Sequence, residues 1–296
     1  GGVWECPDLV EIPVEGTREK KWVLICNLNP GGPFGGSAAQ YFVGSFDGKK
    51  FVNESPTQTK WMDWGKDNYA TVTWNNAPDG RCIALGWMSN WQYANNVPTR
   101  QYRSANTLAR DLTLYREGQE LYLKSTPSSE VKKARGKKVS IPSFKVSEKH
   151  EMVNLFEEKH GACEVEIVIQ NAGASKIAFC LLNDKGEKVS MYYDLNRKQF
   201  VMDRSESGTV DFSKDFPAVT VAPVNVDKEL TLRLFVDRSS IEAFGEDGKF
   251  VMTNLVFPSQ PYVKMCFEAD KNGYAVKSLS CLLYTSPSPR DGLLSR

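Results

Sequence analysis

Apolar and polar positions alternate with a period of two along most of this chain. Runs such as Trp22–Cys26, Gln40–Phe46, Ala70–Trp74, Cys82–Trp87 and Cys163–Gln170 are strand-sized and rich in β-branched and aromatic residues. Further runs lie at Ser190–Leu195, Glu229–Val236, Phe250–Asn254 and Tyr262–Phe267. Turn dipeptides separate many of them: Asp47-Gly48, Asp79-Gly80, Glu117-Gly118, Asp247-Gly248 and Asn272-Gly273. Short strands at this spacing, without helical patterns between them, predict an all-β fold: a sandwich, a barrel or a propeller. Lys145–His160 has no assignable period.

Alternation also stops at Ser125–Lys138, a polar, basic stretch that predicts a solvated inter-domain linker. A length of 296 residues agrees with about two domains. With 37 Lys+Arg against 36 Asp+Glu, no bulk charge recruits nucleic acid or an anionic membrane. No apolar run approaches the ~20 residues of a membrane-spanning helix, so membrane insertion is not expected. The first residue is Gly1, which places the expected native N-terminus upstream.

Seven cysteines lie scattered without a CxxC pair, and the two histidines, His150 and His160, form no zinc pattern with them. Buried thiols are the expectation, with no metal and no cofactor. All seven tryptophans precede the linker: Trp4, Trp22, Trp61, Trp64, Trp74, Trp87 and Trp91. Any sugar that stacks on indole would therefore meet the first half, although most of these rings are expected to fill strand-packed cores.

Trp4-Glu5-Cys6-Pro7-Asp8 is the first candidate for chemistry. Pro7 predicts an extended Cys6, giving the Glu5 carboxylate a defined direction at a strand end. Trp4 supplies an apolar wall of the kind that keeps a general acid protonated near neutrality. A glutamate beside a tryptophan is common, and the motif gains weight only from the segments downstream of it. Asn29–Gly48 comes next, then Asp63-Trp64-Gly65-Lys66-Asp67 with Tyr69-Ala70. Beyond these lie Trp87–Thr99, Arg103, Ala105 and Arg110-Asp111-Leu112, and the second half adds Tyr193-Asp194, Met202-Asp203-Arg204 and Val236–Gly248.

In this order and spacing, from about Trp4 to Ser280, these segments closely resemble glycoside hydrolase family 32, the β-fructofuranosidases. The resemblance implies the C-terminal part of a five-bladed β-propeller, with its active site in the central funnel, followed by a β-sandwich. Residues 1–126 are then about the last two blades, 127–138 the linker and 139–280 the sandwich. Residues 281–296 resemble a translation of sequencing-library adapter DNA, which implies an environmental-DNA fragment whose native sequence ends at Ser280.

By the same resemblance Glu5 is the general acid/base, Asp63 and Lys66 orient it and the sugar, and Trp91 lines the fructose pocket. The Gly35–Gly44 stretch looks like the fructan-hydrolase form of its loop, favouring inulin or levan over sucrose. Tyr102 departs from the tryptophan that many relatives carry there. The family's nucleophile and transition-state stabiliser lie in W-[ML]-N-D-P-N-G and R-D-P motifs, and neither occurs in this chain. Retaining hydrolysis uses two carboxyl groups about 5–5.5 Å apart. The chain as given supplies one, and is expected to be inactive.

Blander roles stand beside these. Asp63 and Asp67 read equally as turn or edge charges, and Lys66 as the partner of a carboxylate. Asp237-Arg238 and Asp203-Arg204 read as structural Arg–carboxylate clamps. Gly31, Gly32, Gly35 and Gly36 are loop glycines, with no helix behind them to make a phosphate cradle. The alternative function is a non-catalytic carbohydrate-binding protein on the same scaffold. The implied partner is fructan or sucrose, the implied location secreted or periplasmic, and no oligomeric state is indicated.

Overall fold

The computed structural model describes residues 2–74, 76–147, 151–155, 162–226 and 228–284. His150, His160 and residues 285–296 lie outside the described residues. The chain is all-β, with antiparallel pairing throughout its sheets. The first sheet takes the order β1 (Val3–Pro13), β2 (Lys20–Asn29), β3 (Ala38–Phe46), β4 (Phe51–Asn53), with β5 (Lys60–Trp61) also on β3. The second contains β6 (Tyr69–Trp74), β7 (Cys82–Met88), β8 (Ala105–Asn106), β9 (Arg110–Glu117) and β10 (Glu120–Pro127). Its order is β10-β9-β7-β6, with β8 on β7.

Two larger sheets complete the chain, built from strands of both early and late sequence. The early ones are β11 (Arg135–Ile141), β12 (Phe144–Val146), β13 (Glu151–Asn154), β14 (Cys163–Asn171), β15 (Lys176–Leu182) and β16 (Lys188–Asp194). Next come β17 (Gln199–Asp203), β18 (Val219–Pro223), β19 (Glu229–Val236) and β20 (Ser240–Gly245). The last are β21 (Phe250–Leu255), β22 (Lys264–Ala269) and β23 (Tyr274–Tyr284). One sheet is ordered β11-β23-β14-β19-β20-β21, with β12 also on β23; the other is ordered β13-β22-β15-β16-β17-β18.

The alternation explains this layering. Val165, Ile167 and Ile169 of β14 and Leu230, Leu232 and Leu234 of β19 face Ile177, Phe179, Met191, Phe200 and Phe267 across one sandwich core. A second core joins the first two sheets through Ile12, Val23, Ile25, Val43, Leu112 and Leu114. A third, built on Met88, Tyr93, Phe216 and Phe257, seals the second sheet to the sandwich. All five turn dipeptides connect consecutive strands, and their glycines have positive φ, from 60° at Gly118 to 90° at Gly48.

Several expectations need correction. The linker is ordered: Ser129–Ala134 form a 3-10 helix, and 135–138 already belong to β11, where Arg135 grips the buried Glu164. Cys281–Tyr284 continue β23 in register with β11 and β14, which leaves the origin of those residues untouched. The tryptophans line core edges at most, Trp64 packing against the sandwich core. Trp4, Trp74 and Trp91 are half exposed and the other four are partly buried, because aliphatic side chains occupy the sheet interfaces. Cys6 is not extended, for a reason that belongs to the site.

Candidate active site

Glu5 sits near the start of β1, exposed to solvent, and its carboxylate accepts a hydrogen bond from the Tyr69 hydroxyl at the start of β6. Both strands bulge immediately afterwards. β1 slips register against β2 between Glu5 and Asp8, and β6 slips against β7 between Tyr69 and Val72. Each bulge holds a non-glycine residue at positive φ, Cys6 at 45° and Ala70 at 49°. This is the reason Cys6 departs from the conformation a following proline favours: the extra residue must be absorbed in a left-handed turn. Such backbone costs about 1–3 kcal/mol per residue and persists only where surrounding bonds compel it.

Asn27 supplies those bonds. Fully buried on β2, it donates from Nδ2 to the Cys6 carbonyl (3.4 Å) and the Thr71 carbonyl (3.2 Å). Its Oδ1 accepts the Thr71 N–H at 2.9 Å. One amide thus ties both bulges together and turns Glu5 and Tyr69 toward each other. Asp8 adds a second tie, accepting from the N–H (2.6 Å) and hydroxyl (2.7 Å) of Thr73.

From Tyr69 an aromatic path leads outward. Tyr69 meets Trp87 edge-on at 6.2 Å, and Trp87 meets Trp91 at 5.0 Å between ring centroids. Trp91 is half exposed, as is Trp4, which stacks on Phe42 at 5.6 Å. The glycine-rich loop before β3 sets the Trp91 backbone: Ser37 Oγ accepts its N–H at 3.2 Å, and Asn90 donates to the carbonyls of Gly35 and Ser37. Gly36 is required there, since a Cβ would lie 2.0 Å from Asn90 Oδ1. Burial, and then the Glu5 carboxylate, raise the Tyr69 hydroxyl above its ordinary value, so it stays a neutral donor.

Of the four candidates, the structure joins Glu5 and Trp91 in one cluster. Asp63 and Lys66 lie elsewhere. Asp63 is buried at the seam with the sandwich, where its oxygens accept from Gly65 N–H (2.8 Å), Arg110 (2.8 Å) and Thr253 (2.8 and 2.7 Å). Arg110 also donates to Glu242 of β20 at 2.7 Å. With every lone pair committed, Asp63 has none to offer a sugar. Lys66 is 6% exposed and donates to the Asp215 carbonyl at 2.6 Å; burial and the Arg204 guanidinium lower its pKa.

Neighbouring Asp67 is a seam residue too, accepting from Arg204 (2.5 Å), Tyr93 (2.7 Å) and the Leu255 N–H (2.8 Å). Arg204 is therefore the structural clamp expected of it. Asp237 and Arg238 make no clamp, since both are exposed, but they do form the turn expected before Ile241–Phe244: Asp237 Oδ1 accepts the Arg238 N–H, and the Asp237 N–H donates to the Ser240 carbonyl at 2.9 Å. Tyr102 is half exposed and its carbonyl accepts a hydrogen bond from Thr99. A cavity of about 550 Å³ opens between the first two sheets and the sandwich, lined by Trp61, Tyr115, Tyr122 and Glu246 but by neither Glu5 nor Trp91. Sequence reasoning missed Asn27 and the role of Tyr69. The signal for Asn27 was a lone amide after the apolar Trp22–Cys26 run.

Residues 1–125 match the glycosyl hydrolases family 32 N-terminal domain, and residues 130–282 match the family's C-terminal region. The chain is 39% identical over 288 residues to a levanase from Bacillus subtilis, covering 95% of this chain and 42% of that protein. It is 36% identical over 275 residues to an extracellular exo-inulinase from Aspergillus awamori, covering 89% of this chain and 51% of the relative. The crystal structure of the A. awamori exo-inulinase superposes with a TM-score of 0.85 at 31% identity, over 97% of this chain and 58% of that one. The chain thus spans about half the length of the relatives it matches.

Proposed function

This chain belongs to glycosyl hydrolase family 32, and from that premise we propose that it carries the acid/base half of a fructan-cleaving active site. Glu5 protonates the departing glycosidic oxygen, and a nucleophilic carboxylate from a segment outside this sequence attacks the fructosyl carbon in a retaining double displacement. The supporting observation is the Glu5–Tyr69 hydrogen bond, held by paired bulges beside exposed indole faces. Tyr69 donates to the carboxylate left when Glu5 gives up its proton. Glu5 then takes a proton from the water that releases fructose. Trp4 and Trp91 offer flat apolar faces to the sugar.

The two sheets of residues 1–126 are read as propeller blades whose remaining neighbours lie outside this sequence. Relatives named levanase and exo-inulinase support a fructan substrate, and the name of the extracellular relative supports a site of action outside the cell. The test is Glu5→Gln in a protein extended to the length of its relatives. Turnover of levan or inulin should fall by about 10²–10⁴ while binding persists. Unchanged turnover would remove Glu5 from the acid/base role. An extended parent that binds fructan without releasing fructose would favour the non-catalytic carbohydrate binder. The 296-residue chain alone should release no fructose above a blank.

A further inference from the structure

Cys180 of β15 and Cys266 of β22 are directly opposed in their sheet, with Sγ atoms 2.7 Å apart. We propose that this pair is a dithiol that oxidises to a cross-strand disulfide, making the outer face of the sheet a redox-modification site. Alternation fixes that face. Phe179, Leu181, Met265 and Phe267 point into the sandwich core, so Cys180 and Cys266 point away from it. Directly opposed antiparallel residues have Cα atoms about 4.5–5.5 Å apart, inside the 4.4–6.8 Å range that a disulfide spans.

Access differs between the two sulfurs. Cys180 is 7% exposed, whereas Cys266 is partly open to solvent. A small disulfide such as oxidised glutathione therefore reacts first at Cys266. The Cys266 thiolate attacks one donor sulfur and expels a glutathione thiolate. Cys180 then gives up its proton and attacks the Cys266 sulfur of the mixed disulfide, expelling the second. One S–S bond forms in the protein, one breaks in the donor, and two glutathione thiols are produced. The shared proton with Cys266 and burial raise the Cys180 pKa, while nearby Lys188 favours its thiolate.

The bond would close a loop containing β16–β21, three strands from each sandwich sheet, including the β21 backbone that holds Asp63. Cys163 and Cys281 make an internal control. They lie two positions out of register on β14 and β23, and both are buried, 1% and 0% exposed. Their thiols touch, since the hydrogen bond between them is the first cause raising the Cys163 pKa, but both lie inside the sandwich core, out of reach of a donor disulfide.

The full chain is equilibrated with oxidised glutathione, its remaining thiols are alkylated, and it is cut with trypsin without reduction. The expected product is Ile177–Lys185 linked to Met265–Lys271, two hydrogens lighter than the separate peptides. Reduction should lower the thermal midpoint of the oxidised protein by at least about 5 °C, and the shift should vanish in Cys266→Ser. Singly alkylated peptides, glutathione adducts without a link, or a Cys163–Cys281 link in place of this one overturn the proposal. A link that forms without moving the midpoint overturns the claim that it fits the native sheet.

Discussion

Glu5 and Asp63 are carboxylates on the same half of the molecule, and their surroundings are opposites. Asp63 is 3% exposed and every oxygen is bonded, to Arg110, Thr253 and Gly65. Glu5 is exposed, and its hydrogen bond comes from the Tyr69 hydroxyl, whose ring meets the Trp87 indole edge-on. A carboxylate enclosed by donors is a fastener; one with free lone pairs beside stacking surfaces can exchange a proton with a ligand. The seam and the site divide the polar residues of the shared motifs between them. Even positions two apart separate, with Trp91 at the site and Tyr93 turned into the seam against Asp67.

The largest effect expected from breaking this division lies at the seam. Arg110 is buried between Asp63 and Glu242, and although burial opposes its charge, the two carboxylates keep its pKa raised. Arg110→Ala strands both anions and should cost about 3–5 kcal/mol in urea unfolding. Adding Glu242→Gln should recover part of that loss, because burial already raises the pKa of Glu242 and a neutral amide suits the site better. A loss below about 1 kcal/mol in Arg110→Ala would mean that the seam is not held by these charges.

Next comes the junction between the two regions, Asn27. Asn27→Ala leaves the Thr71 N–H and two carbonyls without their partner and should cost about 1–3 kcal/mol. Its second consequence separates positioning from plain stability. With the bulges untied, Glu5 and Tyr69 lose their fixed approach, so kcat in an extended parent should fall with little change in KM. Asn27→Asp keeps the acceptor for Thr71 but loses both donated bonds, and should recover only part of each. If Asn27→Ala lowers stability alone, Asn27 belongs with the fasteners.

The same division decides how much was legible in the sequence. Strands with clear alternation, such as β14 and β19, and all five turn glycines could be read directly, because period and positive φ are local properties. The bulge in β1 could not be read: its Glu5–Asp8 segment carries a proline, and register slips depend on the partner strand. β11 looked like a linker because its Lys-rich segment is polar, yet its pairing comes from β23, about 140 residues away. Glu5 and Trp91 were legible as motif residues. The seam partners of Asp63 and Lys66, Thr253 and Asp215, were not legible, because they come from the sandwich and motif spacing does not encode which neighbour a side chain meets.

The smallest expected effect tests whether the seam tolerates an unpaired acid. Glu246 lies just after β20 and borders the seam cavity, with the Thr231 N–H at 3.1 Å as its hydrogen-bond donor and Lys249 acting only through space. Burial pushes its carboxyl up to about 7 from an ordinary 4.5. Between those values the folded state binds more protons than the unfolded one, so Glu246 contributes most to stability below about pH 4.5. That contribution is lost as pH rises through 7. Glu246→Gln is neutral throughout and can still accept from Thr231. It should match the parent near pH 4.5 and exceed it by about 1–2 kcal/mol at pH 8, a figure discounted for the partial exposure of the group. Urea unfolding at the two pH values checks this, since the sign of the difference depends on the proton. An equal gain at both would assign the effect to packing, leaving Glu246 as solvated in its folded setting as Glu5.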